Sequence, residues 1–360
     1  MHVLKIPSYK CDNSMWREDD SLPDFSLNYF IRSNSARGYV SFFKSNFDRL
    51  STVIRLSGYP SIIVSDIVSN LCSAARDSGC HAQLIHNCLD NSMEGVIIPE
   101  KNAGIINFPL YGAEEYPVVA ILNDDNLSQA HASLAAARQH FSAALGIHDR
   151  WEKIYISNMD FDAANRLTAQ TIERLIKGRT QGKKGAQVHR YFGAATVSGA
   201  YDYIDNLTED LEKRYFVKGR PGTGKSTFLK RIAEYAVAAG FDAEVYHCAF
   251  DPDSVDMVIL RELNLGVFDS TAPHEHFPSR PDDEVIDIYK AAVADKTDEK
   301  YRAEITAIMV DYKAEIAKAT KQLARAKRYY DEVQKGFLSK ISAEELGIAE
   351  EKIRNSIFER

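Results

Sequence analysis

Gly219-Arg220-Pro221-Gly222-Thr223-Gly224-Lys225-Ser226, followed by Thr227, has the residue types and spacing of a phosphate-binding loop of the Walker A kind. Each fixed position has its own task. The glycines let the backbone curl until successive N–H groups face one anion. Lys225 is placed to reach the β- and γ-phosphates, and the Ser226 hydroxyl to hold Mg²⁺. The helix expected to follow adds the positive end of its dipole. This run predicts a nucleoside-triphosphate site, with ATP and Mg²⁺ as the expected ligands.

Such a site also needs an acid on the metal side. Leu263-Asn264-Leu265-Gly266-Val267-Phe268-Asp269 reads as an apolar strand ending in a carboxylate, which beside the loop would bind Mg²⁺ directly or through water. Ser226 and Asp269 are the expected metal ligands; Lys225, Asp269 and Asp253 are the expected catalytic groups. Asp253 comes from a cluster with Asp251 and Asp256 past the strand ending at His247-Cys248, where an acid could orient water or an acceptor hydroxyl. The plain alternative for Asp251-Pro252-Asp253 is a turn capping the next helix. His274 and His276 follow in a proline-containing loop, where a γ-phosphate sensor is conceivable and loop packing fits better. Arg220 suits phosphate or solvent equally. Arg32 and Arg37 are arginine-finger candidates that spacing does not support.

The elements that must position these groups are legible around them. Residues 214–218 read as a strand. Phe228, Leu229, Ile232, Ala233, Ala236 and Val237 mark a helix over 226–239 with Gly240 at its end, and 243–248 and 263–268 read as further strands. Strands alternating with helices predict an α/β layer fold with a parallel sheet. The pattern also occurs twice. At an offset of 161 (219 − 58), Gly38, Gly58, Pro60 and His86 fall on Gly199, Gly219, Pro221 and His247. With one residue of slip, Ser92, Glu100, Gly104 and Asn107 fall on Ser254, Glu262, Gly266 and Asp269. An ordered series of this kind predicts a duplicated unit. In the first copy Val64 stands where Lys225 stands, and Ser61 and Ile63 replace two loop glycines. Asp66 replaces Thr227, and Asn107 replaces Asp269. That copy should not bind a triphosphate; Ser65 or Asp66 should simply cap a helix over 66–77.

The paired arrangement resembles a poorly characterised bacterial family with two tandem P-loop ATPase-like domains. The resemblance rests on Gly38-Tyr39-Val40-Ser41-Phe42-Phe43, Gly95-Val96-Ile97-Ile98-Pro99-Glu100, Trp151-Glu152-Lys153-Ile154-Tyr155 with Asn158-Met159-Asp160, and Asp269-Ser270-Thr271-Ala272-Pro273-His274. It implies ATP binding with hydrolysis, and names no substrate. In that family the first repeat often keeps its own intact loop, so this chain departs from it at the first site.

The expected organisation is an irregular segment (1–27), a degenerate P-loop NTPase-like domain (28–178), a Gly/Lys-rich linker (179–187) and an intact P-loop domain (188–360). Each domain is expected to be three-layered with a parallel sheet followed by long helices, those of the second over about 283–358. Ile305, Ile308, Tyr312, Ile316, Ala319, Leu323, Ala326, Tyr330, Val333 and Phe337 form a heptad seam, expected to pack on the stripe of Leu127, Leu134 and Phe141. A net charge of −7 gives no global attraction to nucleic acid or anionic membrane, and no apolar run has the length of a membrane span. Five cysteines without a CxxC pair fit a reducing cytoplasm better than a disulfide or zinc framework. The leading expectation is an Mg²⁺-dependent ATPase whose first domain is structural or regulatory. The alternatives are a P-loop kinase for a small molecule or nucleotide, and a nucleotide-gated module that engages a protein partner through its long helices.

Overall fold

A computed structural model describes residues 26–57, 59–108, 125–338 and 342–359. The expected N-terminal segment therefore lies almost wholly outside the described residues, as do Gly58 and the side chain of Phe337. The first repeat runs β1 (Leu27–Phe30), β2 (Arg32–Ser35), β3 (Gly38–Ser41), α1 (Phe43–Phe47), β4 (Thr52–Ser57), α2 (Ser61–Asp77), β5 (Gln83–His86), β6 (Met93–Ile98), β7 (Ala103–Phe108), α3 (Asp125–Ile156) and α4 (Phe161–Ile176). The second runs β8 (Gln187–Tyr191), β9 (Gly193–Thr196), β10 (Gly199–Asp202), α5 (Ile204–Leu207), β11 (Lys213–Lys218), α6 (Lys225–Ala238), β12 (Ala243–His247), β13 (Val255–Leu260) and β14 (Leu265–Asp269). It then inserts β15 (Glu284–Asp287), α7 (Ile288–Ala292) and α8 (Thr297–Lys300) before α9 (Arg302–Leu338) and α10 (Ala343–Phe358).

The repeat is visible at the level of backbone detail. A register shift falls between Ile85 and His86 in one copy and between Tyr246 and His247 in the other. Asn102 and Asn264 take the same left-handed conformation after equivalent short turns. Both copies contribute to one sheet, in the order β15-β11-β14-β13-β12-β8-β1-β5-β6-β7-β4. The halves meet where β1 and β8 run antiparallel at Phe30 and Tyr191. The expected parallel sheet needs correction, because β6 and β13 run against both of their neighbours. Residues 261–264 join β13 to β14 and are far too short for the crossover a parallel pair needs.

Alternating side chains build the layers. Tyr215 and Val217 join the apolar layer under α4 and α6, while Phe216 points to the layer under α1 and α5. That second layer draws on both repeats, from Tyr29, Ile85 and Ile106 to Tyr246, Met257 and Phe268, so the two copies share one core.

The helices cross over. α4, from the first repeat, lays Ile172, Leu175 and Ile176 on α6 and the second half of the sheet. α10, from the second repeat, lays Ile353 and Ile357 on α2 in the first half. Asp160 caps α4 and Ser342 caps α10 at equivalent places, an offset of 182 (342 − 160). Between them, α3 and α9 meet along the expected seam: Leu127, Leu134, Ala137 and Phe141 against Ala319, Leu323, Ala326, Tyr330 and Val333. The expected linker is tied down. The Gln181 N–H donates to Ala239 O, Lys183 pairs with Asp242 and Glu262, and Gly185 lies against Phe241 and Val237. Among the described residues, no helix is long and apolar enough to cross a membrane.

Candidate nucleotide site

The intact loop leaves β11 and enters α6. Gly222 and Gly224 have φ of +77° and +84°, which side-chain-bearing residues rarely adopt, so the curl depends on glycine there. Thr223 braces the curl, its Oγ1 donating to Arg220 O at 2.8 Å and accepting from Arg220 N at 3.2 Å. Lys225 folds back over the loop: Nζ donates to Arg220 O at 2.9 Å and lies 3.6 Å from Asp269 Oδ2. Ser226 Oγ accepts the Val255 N–H at 2.9 Å, which fixes the hydroxyl at the tips of the strands. Thr227 is exposed.

In the first copy the same stretch is helix. α2 begins at Ser61, so Ser61, Ile62 and Ile63 form its first turn, with the Val64 N–H donating to Pro60 O at 3.1 Å. The expected start at Asp66 is corrected by a full turn, and neither Ser65 nor Asp66 caps it. Residues with a Cβ resist the glycine conformations and continue the helix backwards instead. Val64 is fully buried among Ile67, Leu84 and Ile105.

Asp269 ends β14, directly beside β11, as the strand reading requires. Its Oδ1 accepts from Thr271 Oγ1 at 2.6 Å. The second acid is Asp256, at the start of neighbouring β13. Burial, and then the charge of Asp269, push the Asp256 carboxyl up to about 6, while Cys248, His274 and Lys225 draw it down. Asp253 is elsewhere: its carboxylate is exposed and pairs with Arg37 Nε at 2.7 Å, and Arg37 also grips Asp251 at 2.6 Å. The Asp253 N–H donates to Asp251 Oδ1 at 3.3 Å, a turn as in the plain alternative, but it leads into strand β13 and caps no helix. Asp256, not Asp253, is thus the cluster member beside Lys225 and Asp269.

Other candidates sort by their partners. His274 and His276 both clamp Asp202, at 2.8 and 3.2 Å, which is loop packing. Arg220 pairs with Asp298 at 2.8 Å and lies over the Tyr289 ring. Arg32 is buried against Glu94 at 2.8 Å in the first half and cannot reach the second site. Glu262 accepts from the Asp242 N–H at 2.7 Å and pairs with Lys183, a structural role.

Sequence reasoning missed the contact of the C-terminal end of α3 with this loop. Glu152 lies directly on Gly222: a Cβ there would come within 2.7 Å of Glu152 O and 3.0 Å of its Cα and Cβ. Burial, then Asp149, raises the Glu152 carboxyl, while Lys225 and the Gly222 N–H lower it. His148 sits one turn earlier, its Nδ1 3.7 Å from Glu152 Oε1, and burial followed by the charge of Lys225 lowers its pKa. The only signal in the sequence was Trp151-Glu152-Lys153-Ile154-Tyr155, taken there as a landmark without a role.

The donor set suits a hard divalent cation. The Ser226 hydroxyl and the Asp269 and Asp256 carboxylates offer oxygen ligands of the kind Mg²⁺ takes. The upward push on Asp256 comes first from burial and then from the neighbouring Asp269 charge, and Lys225 only partly opposes it. Comparison with family models, curated proteins and solved structures finds no match for this chain.

Proposed function

We propose that the second repeat binds ATP with Mg²⁺ and hydrolyses it, and that the first repeat is its structural and regulatory partner. The observation that carries this reading is the glycine-dependent loop with Lys225 turned toward Asp269 and Asp256. In this reading the loop N–H groups and Lys225 hold the phosphates, and Thr223 keeps the curl in shape. Ser226 and Asp269 would hold Mg²⁺ with Asp256 beside them, and the ion would neutralise charge on the transferring phosphoryl group. Buried apolar strands behind these groups limit water and strengthen each interaction. The kinase reading calls on an acid from Asp251, Asp253 and Asp256 to orient an acceptor; Arg37 engages Asp251 and Asp253, which leaves Asp256 for that task.

Calorimetric titration with a non-hydrolysable ATP analogue and Mg²⁺ tests the proposal. We expect one analogue per chain and loss of tight binding in Lys225→Ala. Asp269→Asn should keep most of the affinity and lose Mg²⁺-dependent turnover. A stoichiometry near two, or unchanged hydrolysis in Asp269→Asn, would overturn the corresponding assignment.

A further inference from the structure

Each loop region is covered by a residue from the long helix of the other repeat. Glu152 on α3 lies on Gly222, and Gln334 on α9 lies on Ser61. The two pairs are equivalent: Glu152 and Gln334 differ by the helix offset of 182 (334 − 152), and Ser61 and Gly222 by the loop offset of 161 (222 − 61). At the degenerate loop the contact is a neutral amide. Gln334 Oε1 accepts the Ser61 N–H at 2.6 Å and the Ser61 O–H at 2.9 Å. At the intact loop Glu152 lays its O, Cα and Cβ on Gly222, and Lys225 and the Gly222 N–H lower its carboxyl against burial and Asp149, which raise it.

Backbone N–H groups and a lysine arranged for phosphate oxygens will take any well-placed anion. A carboxylate held there by the fold is the protein's own anion, and it repels an incoming triphosphate. The contact involves Glu152 O and Cα as well as its side chain, so a rotamer change alone does not clear the loop. The loop is also stapled to α3 by a second route. Arg220 pairs with Asp298, and Asp298 accepts the Tyr155 O–H at 2.9 Å.

We infer that Glu152 is a built-in competitor for the triphosphate: nucleotide binding at the second repeat displaces it from Gly222 and shifts the end of α3, so that the α3–α9 pair carries the nucleotide state. This rests on the reading of the loop as a triphosphate site. It also gives the nucleotide-gated alternative a physical route, through the seam that joins α3 to α9.

Two variants and one probe test it in the full chain. Glu152→Gln keeps the shape and removes the charge, and Glu152→Ala removes both; melting curves check that each folds. Both should bind the non-hydrolysable ATP analogue with Mg²⁺ about five- to tenfold more tightly than the parent. Trp151, next to Glu152, should change fluorescence on analogue binding in a Trp16→Phe background. That change should persist in Glu152→Ala, because the residue's O and Cα still lie on Gly222 and must still be moved. Unchanged affinity in both variants would overturn the competitor role. Weaker binding that appears only with Mg²⁺ would make Glu152 a metal-side ligand and also overturn it. If neither parent nor variants bind the analogue, the triphosphate reading itself fails, and this inference with it.

Discussion

Two equivalent places in one sheet have opposite chemistry. In the second repeat, Asp256 and Asp269 lie beside Lys225, and burial, then the charge of Asp269, pushes the Asp256 carboxyl up. In the first, Glu94 and Asn107 occupy the matching positions at an offset of 162 (256 − 94 and 269 − 107). There a buried guanidinium completes the arrangement: Arg32 bonds Glu94 Oε1 at 2.8 Å and Asn107 O at 3.3 Å. Arg32 falls on Gly193 at an offset of 161 (193 − 32), so the second copy has no such internal cation. One place keeps two carboxylates beside Lys225; the other holds a carboxylate with its own buried guanidinium. The framework survives because the groups that would face a ligand in one copy face core partners in the other.

The comparison can be broken hardest by separating the copies. Residues 186–360 alone lose α4 from the face of α6 and β1 from the edge of β8. We expect that fragment to show no cooperative melt; a monomeric, cooperatively melting fragment would mean that the shared core is dispensable. Next in size is Arg32→Ala, which strands a buried carboxylate and should cost about 3–5 kcal/mol in chemical denaturation. Asp256→Asn, at the position that matches Glu94, should change stability by less than about 1 kcal/mol or raise it, because it removes a charge the fold opposes. Equal losses in the two variants would erase the distinction between the two places.

Gln334→Ala should cost about 1–2 kcal/mol, since it leaves the Ser61 N–H and O–H without their acceptor. Its helix-offset counterpart Glu152→Ala should cost less, and a reversal of that order in parallel denaturation curves would contradict the roles assigned to the two contacts. The smallest effect concerns His86 and His247, which burial holds down to about 4 in both copies. A histidine whose folded pKa is depressed contributes stability above its ordinary value near 6.5, lost as pH falls toward 4. For His86 the loss between pH 7.5 and pH 6 should be about 1 kcal/mol, and His86→Gln should flatten that slope. An unchanged slope would place the acid sensitivity elsewhere.

Much of this was legible in the chain itself, and the misses share a cause. The loop over 219–226, the flanking strand and helix, the repeat offset and the seam partners of α9 all follow from local spacing. The strand β13 was missed, and with it the mixed sheet, because an apolar run says nothing about the direction of its neighbour. The start of α2 was placed a turn late, since the absence of glycine was read as loss of a loop rather than as gain of helix. Asp253 was preferred to Asp256 because proximity in sequence does not reveal which carboxylate is buried beside Asp269.

By itself the sequence determined which loop can take the glycine-dependent curl and which cannot. That choice depends on φ angles that glycine allows, a local property. Only the tertiary structure decided what covers each loop. The exchange of α4 and α10 brings Glu152 to Gly222, 70 residues away (222 − 152), and Gln334 to Ser61, 273 residues away (334 − 61). Contacts at such separations follow from how the sheet is ordered and how the long helices cross it, and helical periodicity carries no record of that path.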